Sequence, residues 1–288
     1  MRGFNIVLNK IKQIDNLKRR AMKKKVAGQV IRNEEIAPDI FSMWIETELA
    51  EDANPGQFVG VFPNRESTIL PRPISICEVD SDRTALRLVY RIAGKGTSEL
   101  SHMKSGRRIF LLGVLGNGYD LEQARGKSAM LLAGGIGIPP ILQLAKELSG
   151  FEGDSAERIA REINIVVGYR DCTTFLLEEL QQYGNVYVAS EDGSIGTKGN
   201  IMDAIRANKL NADLIYSCGP MPMLRAIKKY AEENDIPAYI SLEERMACGV
   251  GACLGCVCKT TKVDHHSHVN NARICTDGPV FEAKEVDI

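Results

Sequence analysis

The sequence predicts a multidomain protein with an antiparallel β-barrel, then a doubly wound α/β domain, then a small cysteine-rich module. Apolar residues alternate with period two and frequent turns up to about residue 121, which is typical of a barrel. Short apolar runs then alternate with segments of helical periodicity, which predicts a parallel sheet with helical crossovers. Five cysteines follow between residues 248 and 275. We therefore assign residues 23–124 to the barrel, 125–236 to the α/β domain and 237–288 to the module.

Composition excludes several classes of protein. The chain has 288 residues, 44% of them hydrophobic, and a net charge of −1, which gives no electrostatic argument for binding nucleic acid. No apolar run approaches the roughly 20 residues that span a bilayer. Eight cysteines, half of them in one constellation, favour a reducing compartment, so we expect a cytoplasmic protein.

The N-terminus is strongly basic. Residues 1–25 contain nine Lys or Arg and one acid, Asp15. Residues 6–17 have the apolar spacing of a short amphipathic helix, so binding to a membrane surface is one hypothesis. The other is a plain basic extension over residues 1–22, with Met22 as an alternative start.

Two motifs in the barrel suggest an anion site. Strands are predicted at 57–62, 86–92 and 108–112, and R-P-I-S-I occupies residues 72–76. G-K-G-T, residues 94–97, opens a helix predicted over 97–103. An arginine fork can hold a pyrophosphate, and a glycine-rich helix start offers backbone N–H groups to the same anion. Taken singly, the motifs could be an edge-strand turn and an ordinary N-cap.

Together these motifs resemble the FAD-binding face of the ferredoxin reductase superfamily. The aromatic residue that often precedes the serine of this motif is Ile74 here, so stacking on the flavin must come from elsewhere, and Tyr90 is a candidate. Ser75 could offer its hydroxyl to a flavin ring nitrogen. The resemblance implies these FAD contacts: Arg72, Pro73, Ile74, Ser75, Val89, Tyr90, Arg91, Gly96 and Thr97.

The α/β domain has glycine turns where a parallel sheet binds its ligand. Five strands are predicted at 129–133, 163–168, 185–189, 213–218 and 238–241, and four helices at 139–148, 174–183, 200–207 and 222–233. Two strand-to-helix turns, A-G-G-I-G-I-P-P and C-G-P-M, fall at carboxyl ends of strands. They resemble the nicotinamide-binding turns of the same superfamily; the alternative is that they only close the sheet. The implied binding residues are Gly134, Gly135, Gly137, Cys218, Gly219 and Pro220. Asp171 favours NAD as the bound cofactor, whereas the adjacent Arg170 leaves NADP as an alternative.

The cysteine spacing predicts an iron–sulfur site. Cys248, Cys253 and Cys256 form C-x4-C-x2-C, and Cys275 follows after eighteen further residues, which is the plant-type [2Fe–2S] pattern. Intervening glycines permit the tight turns that such a loop needs. Zinc is the main alternative, but structural zinc sites usually pair two CxxC-type knuckles. We interpret Cys258 as a strand neighbour of the ligands, and His265, His266 and His268 as an exposed loop.

The order of the three domains resembles one family closely, the electron-transfer subunit of bacterial NAD-dependent dihydroorotate dehydrogenase of the B type. The most specific matches are R-P-I-S-I, A-G-G-I-G-I-P-P, E-E-R-M-A-C-G-V-G-A-C-L-G-C and C-T-D-G-P-V-F. The resemblance implies that electrons pass from the FMN of a catalytic partner subunit through the cluster and FAD to NAD+, in pyrimidine biosynthesis. It implies a hetero-oligomer with two copies of each subunit and a partly exposed cluster loop at their interface.

Two other functions remain open from the sequence. One is the flavin and iron–sulfur subunit of an NADPH-dependent ferredoxin or sulfide-type reductase, in which an Asp often replaces the first cysteine. The other is a zinc-stabilised binding protein without redox activity, which would be colourless.

Overall fold

The computed structural model describes residues 23–63, 69–150, 158–263 and 269–288. The basic extension at 1–22 and the predicted histidine loop at 265–268 lie outside the described residues. Among the described helices, none is both long and apolar enough to cross a bilayer.

The N-terminal domain is a closed six-stranded barrel, which confirms the prediction. Its strands pair antiparallel in the order β1-β2-β5-β4-β3-β6. The only α-helix described within it, α1, covers Lys95–Ser101 and begins two residues before its predicted start. The strands are β1 (Lys24–Ala37), β2 (Ile40–Glu46), β3 (Phe58–Phe62), β4 (Arg72–Val79), β5 (Ala85–Arg91) and β6 (Arg108–Leu115).

The second domain contains the predicted parallel sheet, extended at both edges. Its order is β10-β9-β8-β7-β11-β12-β15, in which β10 adds a short parallel strand and β15 an antiparallel one. The five predicted strands form its centre. The strands are β7 (Ser128–Gly134), β8 (Glu162–Tyr169), β9 (Asn185–Ser190), β10 (Thr197–Lys198), β11 (Leu214–Cys218), β12 (Ala238–Ser241) and β15 (Val280–Glu282).

Three of the four helices predicted for this domain agree closely with the structure, and one is much shorter than predicted. They are α2 (Pro139–Ser149), α3 (Leu177–Leu180), α4 (Ile201–Ala207) and α5 (Met221–Glu233). The prediction of a helix over 174–183 is wrong at its start because the preceding residues form a turn. Asp171 Oδ1 accepts from Thr173 N at 2.7 Å, and the Tyr169 hydroxyl donates to the carbonyl of Phe175 at 2.7 Å. Leu176 then has φ +58°, outside the helical region.

The C-terminal module is built onto this sheet. The hairpin of β13 (Val257–Lys259) and β14 (Asn271–Arg273) follows the cysteine loop, and β15 returns to pair with β12. β12 lies C-terminal to the boundary that we place at 236, so the module shares the sheet of the α/β domain. The domain boundaries themselves stay a prediction.

Two apolar cores cross the domain borders. One packs barrel residues such as Ile40, Cys77 and Val89 against helix α2. The other packs Phe58 and Leu115 of the barrel against the module and the opposite face of the sheet. The barrel therefore packs against both the α/β domain and the cysteine-rich module.

Candidate cofactor sites

The predicted flavin face brings Arg72 and helix α1 together. The guanidinium of Arg72 lies so close to Gly96 that a methyl group on Gly96 would overlap its Nε, and its Nη1 donates to the carbonyl of Leu70 at 2.7 Å. The Thr97 hydroxyl accepts from the backbone N–H of Ala93 at 2.8 Å, so it caps its own helix. Glycine at position 96 is required by this close approach.

Strands β4 and β5 place the other predicted FAD residues side by side. The two strands pair at Ile76 and Leu88, and the next residues along them are Ser75 and Val89. Ser75 is partly exposed and Arg91 is exposed, whereas Ile74 and Val89 are buried. The residues that carry polar side chains therefore reach the surface of this face.

Tyr90 does not reach that surface. It is 3% exposed, its ring stacks with Phe41 at 6.1 Å between centroids, and its hydroxyl donates to Asn33 Oδ1 at 3.2 Å. Burial raises the pKa of its phenol. Its position argues against the hypothesis that the Tyr90 ring stacks on the flavin, because the ring packs in the barrel interior.

Asn33 is a positioning residue that sequence reasoning missed. Its amide nitrogen donates to the carbonyls of Leu100, Ser101 and Met103 at 2.9, 3.2 and 3.1 Å, which satisfies the C-terminal end of helix α1. One asparagine on β1 thus fixes the helix that presents Gly96. The only sequence signal was an asparagine in a strand, where that residue type is uncommon.

The two glycine turns of the α/β domain contact each other at the carboxyl ends of strands β7 and β11. Parallel pairing of β7 with β11 sets Ala133 beside Cys218. A methyl group on Gly137 would overlap the carbonyl oxygen of Cys218, and one on Gly134 would lie 2.8 Å from Met223 Sδ. Gly135 has φ +54° and open space beyond its Cα, so its backbone faces the cleft. The turns therefore form one continuous backbone surface.

A cavity of about 960 Å³ lies at this surface, which is at the upper end of the size range of ligand pockets. It is bounded by both domains: Ile40 and Arg91 come from the barrel, and Gly134, Gly135 and Pro220 from the glycine turns. Four charged side chains line the end beyond strands β8 and β9, namely Arg170, Asp171, Glu191 and Arg206. Hydrogen bonds from Thr173 lower the pKa of Asp171, which keeps that carboxylate ionised.

Cys218 lies behind this cavity wall and is 1% exposed. Burial, followed by the nearby carboxylate of Glu243, raises the pKa of its thiol, which is therefore protonated at neutral pH. Cys218 thus contributes a neutral thiol and a backbone turn at this point.

The cysteine loop has the conformation that its glycines predict. Gly249 and Gly251 have φ of +69° and +81°, and the loop folds back over the Cys248 sulfur. That sulfur accepts from the N–H groups of Val250 and Cys253, and the Cys253 sulfur accepts from Gly255 N, each at 3.4 Å. Backbone donors of this kind stabilise negative charge on cluster sulfurs.

The pKa shifts show that the four sulfurs are electrostatic neighbours. Burial opposes ionisation of Cys248, but the backbone hydrogen bonds outweigh it and lower its pKa to about 6. Burial, with the adjacent Cys256 sulfur, raises the pKa of Cys275 to about 11, and Cys248 acts in the same direction. Among the described residues, no three Cys, His, Asp or Glu side chains converge as they do around one metal ion. The fit to a two-iron cluster therefore rests on the donor set and the loop hydrogen bonds.

The four cysteines differ in exposure. Cys256 and Cys275 are 2% and 0% exposed, whereas Cys253 is exposed and three apolar side chains around it are solvent-accessible: Val250, Leu254 and Val257. Cys258 lies in β13, paired with Ala272, which agrees with its interpretation as a strand neighbour. The loop therefore has a buried half and an exposed apolar half.

Two family matches cover the second domain and the module. Residues 131–229 match the oxidoreductase NAD-binding domain, and residues 243–287 match the iron–sulfur cluster binding domain of dihydroorotate dehydrogenase B.

Similar proteins extend the resemblance over most of the chain. The dihydroorotate dehydrogenase B (NAD(+)) electron transfer subunit of Listeria monocytogenes serotype 4a is 40% identical over 262 residues, which are 90% of this chain and 98% of that protein. The subunit of the same name from Geobacillus sp. is 38% identical over 92% and 99% of the two chains.

Among solved structures, an NADH-dependent reduced ferredoxin-NADP oxidoreductase studied for flavin-based electron bifurcation has a TM-score of 0.77 and 27% identity, over 92% of this chain and 91% of that one. A ferredoxin NADP+ reductase from Neisseria gonorrhoeae, with a TM-score of 0.59 and 14% identity over 73% and 91% of the chains, shares the fold.

Proposed function

The chain belongs to the family of electron transfer subunits of dihydroorotate dehydrogenase B (NAD(+)), and from this premise we propose that it delivers electrons from dihydroorotate, oxidised on a catalytic partner subunit, to NAD+. FAD, a [2Fe–2S] cluster and NAD are its cofactors, and the predictions of family, activity and cofactors are confirmed. We further propose that the partner contains FMN, that two copies of each subunit assemble, and that the complex is cytoplasmic. All eight cysteines lie in described residues and are free, which supports a reducing compartment.

The observation that carries the proposal is that one domain, the barrel, contacts both the cysteine loop and the nicotinamide cavity. Gly249 of the loop packs against Leu115 at the end of β6; a methyl group on Gly249 would lie 3.1 Å from Leu115 Cδ1. At the other side, Ile40 and Arg91 of the barrel line the cavity. A flavin held on this barrel therefore lies in the domain that joins the two other sites.

We propose that the FAD-binding residues are Arg72, Pro73, Ile74, Ser75, Val89, Tyr90, Arg91, Gly96 and Thr97, with Tyr90 acting through its backbone. The Arg72 guanidinium beside Gly96 supports this assignment, because it lies where a helix N-terminus adds backbone donors for a pyrophosphate. When bound, FAD exchanges a hydride with nicotinamide and single electrons with an iron–sulfur cluster.

For NAD, we propose Gly134, Gly135, Gly137, Cys218, Gly219 and Pro220 as the binding turns. Their backbone surface borders the cavity, and glycine there allows close approach of a pyrophosphate. The ionised carboxylate of Asp171 is placed to accept hydrogen bonds from ribose hydroxyls and repels a 2′-phosphate. Arg170 and Arg206 line the same end of the cavity.

We propose Cys248, Cys253, Cys256 and Cys275 as the cluster ligands. The buried pair anchors the site in the apolar core, and the exposed half, with Val250, Leu254 and Val257, supplies an apolar surface for the partner subunit. Burial of such a surface on association would exclude water from the cluster site.

Substitution of Cys253 tests the proposal. In Cys253→Ser, prepared anaerobically with the partner, we expect loss of iron and acid-labile sulfide and at least a hundredfold loss of dihydroorotate-dependent NAD+ reduction. Substituting a residue that only supports a metal ligand already lowers metal affinity or activity about 10–100-fold, and Cys253 is a proposed ligand itself. NADH-driven dye reduction should persist because FAD and the nicotinamide cavity are intact. Cys258→Ser is the matched control and should retain iron. Full dihydroorotate-to-NAD+ turnover in Cys253→Ser would refute the proposal.

A further inference from the structure

The last residue of strand β6 and the loop after it, residues 115–119, contact both the cysteine module and the end of strand β11. Leu115 packs on Gly249 of the cysteine loop. Asn117 contacts the stretch that follows Cys275, and the Tyr119 hydroxyl donates to the carbonyl of Ser217 at 2.8 Å, one residue before Cys218. We call residues 115–119 the β6 loop.

Asn117 makes the contact with the segment that follows the fourth cysteine. Its backbone N–H donates to the carbonyl of Gly278 at 2.6 Å, and its side-chain nitrogen donates to the carbonyls of Thr276 and Asp277, both at 3.1 Å. Three consecutive carbonyls after Cys275 are therefore satisfied by one residue of the barrel. An asparagine is suited to this because its amide has two donor hydrogens.

The β6 loop is itself rigidly supported by the barrel. Gln57 Nε2 donates to the carbonyl of Gly116 at 2.8 Å, and Tyr119 N donates to the carbonyl of Pro55 at 2.9 Å. On its other side, a methyl group on Gly116 would lie 2.5 Å from Pro279 Cδ. The loop is therefore held by hydrogen bonds to the barrel and by its contact with Pro279, and the hydrogen bonds of Asn117 connect the Cys275 segment to the barrel.

The Cys275 segment has supports inside the module. Cys275 is the one ligand separated from the others in sequence, and Ile274 N donates to the carbonyl of Cys256 at 2.8 Å. Asp277 closes the turn that follows by accepting from Arg273 N at 2.8 Å and from Arg273 Nε at 3.2 Å. That turn fixes residues 273–277 relative to each other. Asn117 adds the connection to the domain that bears the flavin face.

We propose that Asn117 is a positioning residue for the iron–sulfur cluster, holding the segment of the fourth ligand, Cys275, to the flavin barrel. This inference rests on the proposed ligand set, and it adds a residue from another domain to the cluster site. Asn117 touches none of the four sulfurs. It acts through the backbone of residues 276–278.

Two substitutions of Asn117 test this role in the anaerobically prepared complex. Asn117→Ala removes both side-chain hydrogen bonds, and Asn117→Asp keeps the size but directs carboxylate oxygens at two carbonyl oxygens. We expect iron release to a chelator to become about tenfold faster in both variants. This is the lower end of the effect of substituting residues that support metal ligands without binding the metal. The electron paramagnetic resonance signal of the reduced cluster should change in shape, and flavin bleaching by NADH should keep its wild-type rate.

Asn208→Ala is the matched control, because Asn208 also donates to a backbone carbonyl, that of Ala204 at 2.8 Å, at the end of helix α4 in the α/β domain. It should release iron at the wild-type rate. Iron release and a resonance signal unchanged in both Asn117 variants would overturn the inference, and so would an equal loss of flavin bleaching. The wild-type iron content separates the two proposals: iron absent from the wild type refutes the ligand set, whereas iron present but insensitive to Asn117 refutes only this role.

Discussion

The barrel is joined to its two neighbours by different kinds of contact. Toward the α/β domain, long side chains bridge the gap: Arg87 of β5 pairs with Glu179 of α3 and with Glu78, and Lys146 of α2 pairs with Glu78 at 3.1 Å. Toward the cluster module, apart from the apolar packing of Phe58 and Leu115, the contacts are made by backbone groups, glycines and one asparagine. We call these the charged junction and the backbone junction.

The difference corresponds to what each junction encloses. The cavity of about 960 Å³ lies between the two domains that the charged junction joins, and long side chains can span the distance between two domains that leave room for a ligand. The backbone junction encloses no cavity between Gly116 and Pro279, which are in direct contact. Contacts of this second kind hold two domains at the shortest separation that the chains allow, which suits transfer of single electrons between neighbouring cofactors.

The largest expected effect is on the charged junction, from Arg87→Leu. The side chain of Arg87 is 10% exposed, and removing it leaves Glu179 unpaired and Glu78 with Lys146 alone. Loss of one partner from a buried pair costs about 3 kcal/mol, at the low end because Glu179 is partly exposed. Urea unfolding should show this loss, together with weaker NADH binding and unchanged iron release.

The control for Arg87 is Arg161→Leu, which removes an exposed pair with Asp213 at 3.1 Å. It should change the free energy of unfolding by less than about 1 kcal/mol. Equal destabilisation by the two substitutions would show that the charged junction adds nothing beyond a surface ion pair.

Gly116→Ala should break the backbone junction. Gly116 has φ +75°, and the added methyl group would lie 2.5 Å from Pro279 Cδ and 2.9 Å from the carbonyl oxygen of Gly278. Gly106→Ala is a matched control, because Gly106 has φ +81° but no atom within 4 Å of its added methyl group. In both variants alanine is forced into a left-handed backbone conformation, which lowers the free energy of unfolding. Overpacking against Pro279 should lower it by about 2 kcal/mol more in Gly116→Ala. Thermal unfolding measures the difference, and iron release should accelerate only in Gly116→Ala.

The smallest expected effect comes from Gln143→Met in the charged junction. Gln143 Oε1 accepts from the backbone N–H of Val79 at 2.8 Å, and a methionine of similar volume leaves that buried N–H without its partner. The cost should be about 1 kcal/mol. Gln143 is an amide side chain of the charged junction, as Asn117 is of the backbone junction. Gln143→Met should therefore weaken NADH binding without affecting iron release. The converse pattern would contradict the division into two junctions.

The local patterns were predictable because each depends on residues close together in the sequence. The glycines of the cysteine loop predicted its tight turns, and the glycine turns at 134–137 and 218–220 were predicted at the carboxyl ends of two strands. Helix α3 was overpredicted because the apolar periodicity of 174–183 continues through a turn closed by Asp171 and Tyr169. Apolar periodicity indicates which side chains can be buried, but it does not show where a turn closed by side-chain hydrogen bonds interrupts a helix.

The sequence alone predicted the residue sets of the sites: four cysteines, an arginine, a glycine-opened helix and two glycine turns, each recognisable from its spacing along the chain. Tertiary structure alone decided how these sites are held together. Asn33 reaches Leu100, Arg87 reaches Glu179 and Asn117 reaches Thr276 across 67, 92 and 159 positions of the chain. Such contacts leave no local pattern, because each partner by itself is an ordinary polar residue whose role appears only when the fold brings the other to it.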